Sequence, residues 1–436
     1  MKKVLIISYY WPPSGGSGVQ RWVKFSKYLP SLGWKPIIYT PENPELLATD
    51  HSLEKEIPSE VEVIRRPILE PYGLWRKISG SKAGADKTKA EVNPINSQEK
   101  TFSQKLSMFV RGNFFIPDPR FLWIIPSADF LKKYLKDHPV DLIVSTGPPH
   151  SMHLIAEKVA HATGIPWIAD FRDPWTKMFY FKHLSLTKLS EKIHERLEKK
   201  VLDRANCVVA VSPLVQEEFK AMTKTKVELI TNGYDEDDFD FEPQPDGNFN
   251  ITHTGLFASD GNPSSLWTVL ASLCKSETGF KDALRIRLCG KTDSQIIASI
   301  KDAGLGENLV DLGYCDHMTA VKEQKEASLL ILPLRKEPEY KATLPGKLFE
   351  YLASERPVLG IGQTDGAMAT ILEETKTGIT YDWEDQSAMT RYIKLCWQLH
   401  LEGKLDVESE DIEKYSRRST AVQMARLMDK CCRPSK

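Results

Sequence analysis

The strongest constraint on this chain is an alternation: continuous apolar runs of strand length, each followed by a turn-forming loop and then by an amphipathic stretch long enough for a helix. Lys3-Val-Leu-Ile-Ile-Ser8 leads into Pro12-Pro13-Ser14-Gly15-Gly16-Ser17-Gly18, and then Val19, Trp22, Val23, Phe25, Leu29 and Leu32 follow at near-helical spacing. A run that is apolar at every position suits a strand buried on both faces, as in parallel sheets. Further runs at 36–40, 61–65, 141–146, 166–170, 206–211 and 227–231 repeat the pattern. This alternation predicts an α/β architecture with a doubly wound parallel sheet, whose ligands sit at the carboxyl ends of the strands.

The pattern then pauses and restarts. Residues 241–250 include Pro243 and Pro245 and few apolar side chains, which reads as a linker. Runs at 249–254, 285–289, 309–312, 329–332 and 357–361 predict a second parallel layer. A chain of 436 residues exceeds the roughly 250 to 300 that one core supports, so its length allows two or three domains, and the restart delimits two. Their expected bounds are 1–240 and 251–407, with a closing segment, 408–436, that carries an amphipathic helix over 411–430. Residues 77–104 are polar, rich in Lys, Ser, Ala and Gly, and without period, which predicts a mobile insertion.

Charge and cysteine content narrow the function classes. With 58 basic and 59 acidic residues the net charge is −1, which gives no footprint for nucleic acid. Seven cysteines without a C-x-x-C pair point to reduced thiols and a cytoplasmic location. Val4 to Ile7 is too short for a signal peptide, and no stretch reaches the roughly 18 apolar residues of a membrane span. Residues 177–204 are helix-forming and basic, with Phe179-Tyr180-Phe181 at their start. One reading is peripheral contact with an anionic membrane surface, and the other is a solvated face.

Residues 342–362 read as loop, helix and strand. Pro345 suits a first helical position, and Arg356-Pro357 ends the helix. Leu348, Phe349, Leu352 and Ala353 form one apolar stripe, while Lys347, Glu350 and Ser354 share another side. A lysine in the first turn meets a helix end carrying roughly +0.5 charge, which is unfavourable unless an anion sits there. Backbone N–H groups, dipole and ammonium together would make a phosphate site, and Glu350 would accept from the hydroxyls of a ribose or sugar. The alternative is a solvated lysine and a surface glutamate.

Other candidates carry two readings each. Gly16 and Gly18 permit close backbone approach to a phosphate or sugar, or form a plain turn; Arg21 stands where G-x-G-x-x-G has its third glycine, which opposes a nicotinamide dehydrogenase. His150 and His153 open a helix at a strand end, where they would meet a ligand or simply be bonded internally. Asp170, Arg172 and Asp173 face a ligand or pair with one another. Lys291 after Gly290 approaches a diphosphate or points into solvent. No H-x-x-x-H pattern or cysteine cluster suggests a metal site, so none is expected.

Taken together the chain resembles the family 4 glycosyltransferases of GT-B fold over nearly its whole length. The residues that carry this are the Gly15-Gly16-Ser17-Gly18 loop, the turn from Thr146 through His150 to Ser151, Asp170-Phe-Arg-Asp173, Val211-Ser212-Pro213, Asn232-Gly-Tyr-Asp235 and Thr254-Gly255. The most specific is Pro345-Gly-Lys347-Leu-Phe-Glu350-Tyr-Leu-Ala353 with Arg356-Pro-Val358. The resemblance implies two Rossmann-like domains facing a cleft, a terminal helix in 408–436 that crosses back to the first domain, and a metal-independent, retaining transfer of sugar from a nucleoside diphosphate sugar, which is a co-substrate, with no cofactor. It implies donor contacts at Gly255, Lys291, Leu344, Lys347 and Glu350, with His150 and Lys347 at the chemistry. Gly16, Gly18, Asp170, Arg172 and Asp173 would line the acceptor side. The acceptor it suggests is a saccharide, lipid-linked, in cell-envelope polysaccharide assembly. Two departures stand out: Ala342 occupies the first position of the family's E-x7-E motif, and Leu256 and Asp260 stand where basic residues often follow the glycine. A nucleotide-sugar epimerase and a noncatalytic nucleotide-sugar binding protein are the alternatives.

Overall fold

The computed structural model describes residues 1–45, 49–70, 102–178, 181 and 184–432. It divides into two compact units, Met1–Thr231 with Thr420–Lys436, and Asn232–Ser419. Most of the segment expected as an insertion, through residue 101, lies outside the described residues.

The first unit runs β1 (Lys2–Ile7), α1 (Ser17–Tyr28), β2 (Trp34–Pro41), β3 (Glu62–Arg66), α2 (Phe102–Phe114), α3 (Ile124–Asp137), β4 (Leu142–Gly147), α4 (Ser151–Thr163), β5 (Trp167–Phe171), α5 (Lys188–Arg204), β6 (Cys207–Ala210), α6 (Pro213–Met222) and β7 (Val227–Leu229). Its seven strands lie in the order β3-β2-β1-β4-β5-β6-β7, and every pairing is parallel. Strand order reverses between β1 and β4, so the loops after those strands flank the switch point where such sheets bind ligands. Val4 to Ile7 are fully buried, which accounts for a run without polar alternation.

The second unit runs β8 (Phe249–Thr254), α7 (Ser264–Ser276), α8 (Phe280–Ala283), β9 (Leu284–Cys289), α9 (Ser294–Asp302), β10 (Leu309–Gly313), α10 (His317–Lys325), β11 (Leu329–Pro333), α11 (Gly346–Ala353), β12 (Val358–Ile361), α12 (Ala367–Glu374), β13 (Gly378–Tyr381) and α13 (Gln386–Leu401). Six parallel strands lie in the order β10-β9-β8-β11-β12-β13, with the switch point between β8 and β11. Leu329 and Ile331 face one core with Phe249, Ile251 and Trp267. Leu330 and Leu332 face the other with Leu348, Phe349 and Leu352 of α11. The two-residue period of β11 thus sorts its side chains between helical layers, and α11 docks by the stripe read from its sequence.

Residues 232–250 belong to the second unit, where Lys325 Nζ donates to the carbonyls of Phe239 at 2.8 Å and Phe241 at 2.7 Å. The last helix, α14 (Arg417–Cys431), buries Ala421, Met424, Leu427 and Met428 in the first unit's core beside Val4, Ile6 and Trp22.

Three local differences from the sequence reading have simple causes. β13 went unread because it is a four-residue edge strand whose Ile379 is exposed. Pro345 is the N-cap of α11 and not its first residue, leaving Gly346 and Lys347 as the opening pair. In the basic region helix starts only at Lys188, where the Thr187 side chain accepts from the Ser190 amide at 3.2 Å. Of its aromatic start, Phe179 and Tyr180 lie outside the described residues, while Phe181 is buried edge-on against His194.

Candidate functional site

In the second unit β8 ends beside the switch point, and Gly255 turns the chain with φ +82°, a conformation that favours glycine. Gly290, after β9, has φ +140°, and a Cβ there would lie 2.2 Å from the Gly255 carbonyl oxygen. The two loops are therefore held together by bare backbone. Phe257 N–H donates to the Lys291 carbonyl at 3.0 Å, and Asp293 N–H donates back to the Phe257 carbonyl at 2.9 Å. Lys291 itself is exposed.

Lys347, in the first turn of α11, reaches this loop. Its Nζ lies 3.0 Å from His253 Nε2 and 3.3 Å from the Leu256 carbonyl, and a Cβ on Gly255 would stand 3.4 Å from it. The side chain is half-buried. Loss of water draws its pKa down to about 7, with Glu350 acting in the opposite sense. His253 is buried and stacked on Phe257 at 4.0 Å. Burial, and then Lys347, hold its pKa well below the usual histidine range, so it is neutral.

Glu350 lies one turn along and is not bonded to Lys347. Gln324 of α10, fully buried, donates to Glu350 Oε2 at 2.9 Å and to Thr254 Oγ1 at 3.0 Å. The Thr254 amide donates to the Tyr351 hydroxyl at 3.0 Å. One carboxylate oxygen is thus fixed from behind. Leu344 is half-buried against the same core as α11. The basic loop before it is tied down by acids: Arg335 Nε pairs with Asp260 Oδ1 at 2.8 Å, Lys336 with Glu384 at 2.6 Å, and Lys341 with Asp365. Ala342 closes the 3-10 turn Pro338–Ala342.

In the first unit His150 is the N-cap residue of α4 at the end of β4. It is buried and stacked face to face on Trp175 at 4.5 Å and 3°. Neither ring nitrogen has a hydrogen-bond partner among the described residues, and burial keeps the ring neutral. Trp175 is itself held, its indole N–H on His194 Nδ1 at 3.1 Å and its amide on Glu198 at 3.1 Å. His153, by contrast, points inward: its Nδ1 is 2.8 Å from the Ser145 hydroxyl, and burial takes its pKa to about 3. Asp118 accepts from the Ser151 amide and hydroxyl, both at 2.8 Å, and so caps α4.

The three charged residues at the end of β5, Asp170 within it and Arg172 and Asp173 just after it, separate. Asp170 does not pair with Arg172; it is fully buried against Arg21, at 2.9 Å and 3.2 Å, and also accepts from Trp22 Nε1 at 2.8 Å and Thr146 Oγ1 at 3.0 Å. A carboxylate with that many donors is a structural anchor, and despite the burial Arg21 leads in holding its pKa down. Arg172 clamps the glycine loop, donating to the Gly18 carbonyl at 2.7 Å and to the Pro148 carbonyl. A Cβ on Gly18 would meet its guanidinium at 2.6 Å. Gly16 is exposed with φ +99° and is the N-cap of α1. Asp173 is half-buried, its pKa pushed up to about 6 by desolvation against the pull of Arg172.

Among the described residues no group of three or more His, Cys, Asp and Glu is placed to hold a metal ion. No described helix is long and apolar enough to cross a membrane.

Against known proteins, residues 99–238 match the profile described as Glycosyltransferase Family 4. No curated protein matches the chain. Several solved structures share its fold along the whole length. A glycosyltransferase from Rickettsia africae is 14% identical, with 100% of this chain and 99% of that one covered and a TM-score of 0.63. Sucrose-phosphate synthase from Thermosynechococcus elongatus is 15% identical over 99% of each chain, with a TM-score of 0.61. Anabaena HepE in complex with UDP-glucose is 13% identical over 99% and 100%, with a TM-score of 0.60.

Proposed function

We propose, from the premise that this chain is a GT-B glycosyltransferase whose residues 99–238 carry the family 4 signature, that it moves a sugar with retention from a nucleoside diphosphate sugar to an acceptor hydroxyl. The observation that carries the reading is the Lys347 ammonium held over Gly255 at the end of β8, one helical turn from a carboxylate that Gln324 fixes in place. The lysine and the α11 amides supply charge and donors for a diphosphate. Glu350 has its second oxygen left for the hydroxyls of a ribose. HepE, of the same fold, has been solved with UDP-glucose, which supports a nucleotide-sugar as donor.

As the glycosyl bond breaks, negative charge gathers on the leaving diphosphate, and a preorganised cation there lowers the barrier. Lys347 takes that role, with Lys291 free in solvent to add to it. His150 is assigned a substrate oxygen, on the sugar or its phosphate, as hydrogen-bond partner; both its nitrogens are buried and unpartnered, an arrangement that a bound polar group would relieve. Gly16 and Gly18 let backbone approach the acceptor, and Arg172 holds that loop.

The acceptor we favour is a lipid-linked saccharide of the cell envelope, reached by peripheral contact from the cytoplasmic side. What supports membrane contact is a set of exposed apolar side chains in the first unit, Phe114, Ile125 and Leu189, with the basic residues of α5 beside Leu189 in sequence.

A melting-temperature screen against a panel of nucleotide-sugars identifies the donor, and that donor is then incubated with and without acceptor. Transfer only with acceptor is the expected result. A changed sugar without acceptor would indicate an epimerase, and melting protection without turnover a binding protein.

A further inference from the structure

Among the described residues no carboxylate pairs with Lys347. Its partners are the His253 imidazole at 3.0 Å and a backbone carbonyl at 3.3 Å. Glu350, the acid on its own helix, is engaged by Gln324 from α10. Asp260 in the loop after β8 is taken by Arg335. The Tyr351 hydroxyl is bonded to Thr254 and buried, which keeps it un-ionised. Across the backbone contact, Lys291 is a second cation and adds no counter-charge.

His253 cannot swing away, being 2% exposed and stacked on Phe257. To accept from Lys347 at Nε2 its ring must be neutral, with the proton on Nδ1, and Nδ1 has no partner among the described residues. A neutral acceptor differs from a carboxylate in one respect: it fixes where the amine sits without supplying charge to keep it protonated. The amine then waits, partly desolvated, for an anion.

We propose that His253 is a positioning residue for Lys347, and that the pair couples binding of a nucleoside diphosphate to uptake of a proton by the Lys347 amine. The inference rests on the second unit being the donor site. Its balance is simple: the amine takes one proton from the buffer as the diphosphate arrives, an N–H bond forms, and no other bond changes. The sign follows from the pKa near 7 in the free protein, which a bound diphosphate raises. Affinity is therefore greatest below that value and falls as pH rises above it, by about tenfold per pH unit until the pKa of the complex is reached.

The test is calorimetric titration of the full chain with UDP, ADP and GDP at pH 8.5, in buffers of different ionisation enthalpy. The terminal phosphate of the nucleotide, with a second pKa of about 6, is already ionised there and contributes no protons. The expected result is uptake approaching one proton, with affinity about tenfold weaker at pH 9 than at pH 8. Lys347→Met should bind weakly and without uptake. His253→Phe keeps the stacked ring and removes the acceptor, which should weaken binding about tenfold, and His253→Gln, with an amide oxygen near the Nε2 position, should restore most of it. Tight binding by the unaltered chain without proton uptake, and with affinity flat from pH 7 to 9, would overturn the coupling even if His253→Phe failed to fold. Unchanged affinity in His253→Phe would overturn the positioning role. Failure of all three nucleotides to bind, or unchanged binding in Lys347→Met, would overturn the donor site itself.

Discussion

Gln324 donates to Glu350 at 2.9 Å from a fully buried position on a neighbouring helix, and the same amide nitrogen reaches Thr254 at 3.0 Å. The carboxylate is therefore aimed by a residue that no ligand needs to touch. Gln324→Leu should cost about 1 to 2 kcal/mol of stability, because Thr254 and Glu350 lose a buried donor. It should also weaken nucleoside diphosphate binding several-fold by freeing Glu350 to rotate. Calorimetry on a variant shown to be folded by thermal unfolding checks both.

The approach of Gly290 to Gly255 makes a second prediction. A methyl group at 290 would overlap the Gly255 carbonyl at 2.2 Å, in a backbone conformation that L-residues rarely adopt. Gly290→Ala should destabilise the second unit by about 2 kcal/mol or more and reduce nucleotide affinity, since both loops must move. Gly304→Ala, also at positive φ but with open space around it, is the control that separates backbone strain from steric overlap. It should leave nucleotide affinity unchanged.

His150 predicts opposite effects on activity and stability. His150→Phe keeps an aromatic ring stacked on Trp175 and removes two buried nitrogens that have no partner. Its melting temperature should be equal to or above that of the unaltered protein. Its kcat for sugar transfer should fall about a hundredfold, the loss expected for one preorganised donor. Steady-state kinetics beside a melting curve decide the matter, and a large fall in stability would show that the histidine is structural.

Asp173 gives a pH dependence. Its folded pKa of about 6 lies above the roughly 3.9 of an unfolded aspartate, so the native state binds its proton more tightly. The stabilising contribution is present below the unfolded pKa and is lost as pH rises through the folded one. Asp173→Asn should therefore stabilise the protein at pH 7 to 8 by about 1 kcal/mol, given that the side chain is half-exposed to screening water. The gain should shrink as pH falls below about 6 and all but vanish near pH ~4, at the unfolded pKa. Melting curves from pH 4 to 8 for both proteins measure it.

The strands were legible because a parallel strand buried on both faces is written as an unbroken apolar run, and Val4 to Ile7 or Leu329 to Leu332 can be read in no other economical way. The edge strand β13 was not, since Gly378-Ile-Thr-Tyr381 has neither the run nor the alternation. Lys347 and Glu350 announced themselves by sharing a helix with an apolar stripe. Their partners did not: His253 lies 94 residues away and Gln324 26 residues from Glu350, and only the fold brings such positions together. Arg21 is the clearest misreading. In sequence it merely broke a glycine fingerprint, whereas in the structure it is the buried counter-ion of Asp170, 149 residues on. The signal that would have found it is its place on the buried face of α1, immediately before Trp22.

The most direct measurement is the affinity of Lys347→Ala for a nucleoside diphosphate, read beside its melting temperature. Loss of about tenfold to a hundredfold, the effect of removing a charged hydrogen-bond donor from a phosphate, with the fold intact, is the predicted result. Affinity equal to that of the unaltered chain would contradict the placing of the donor at the start of α11.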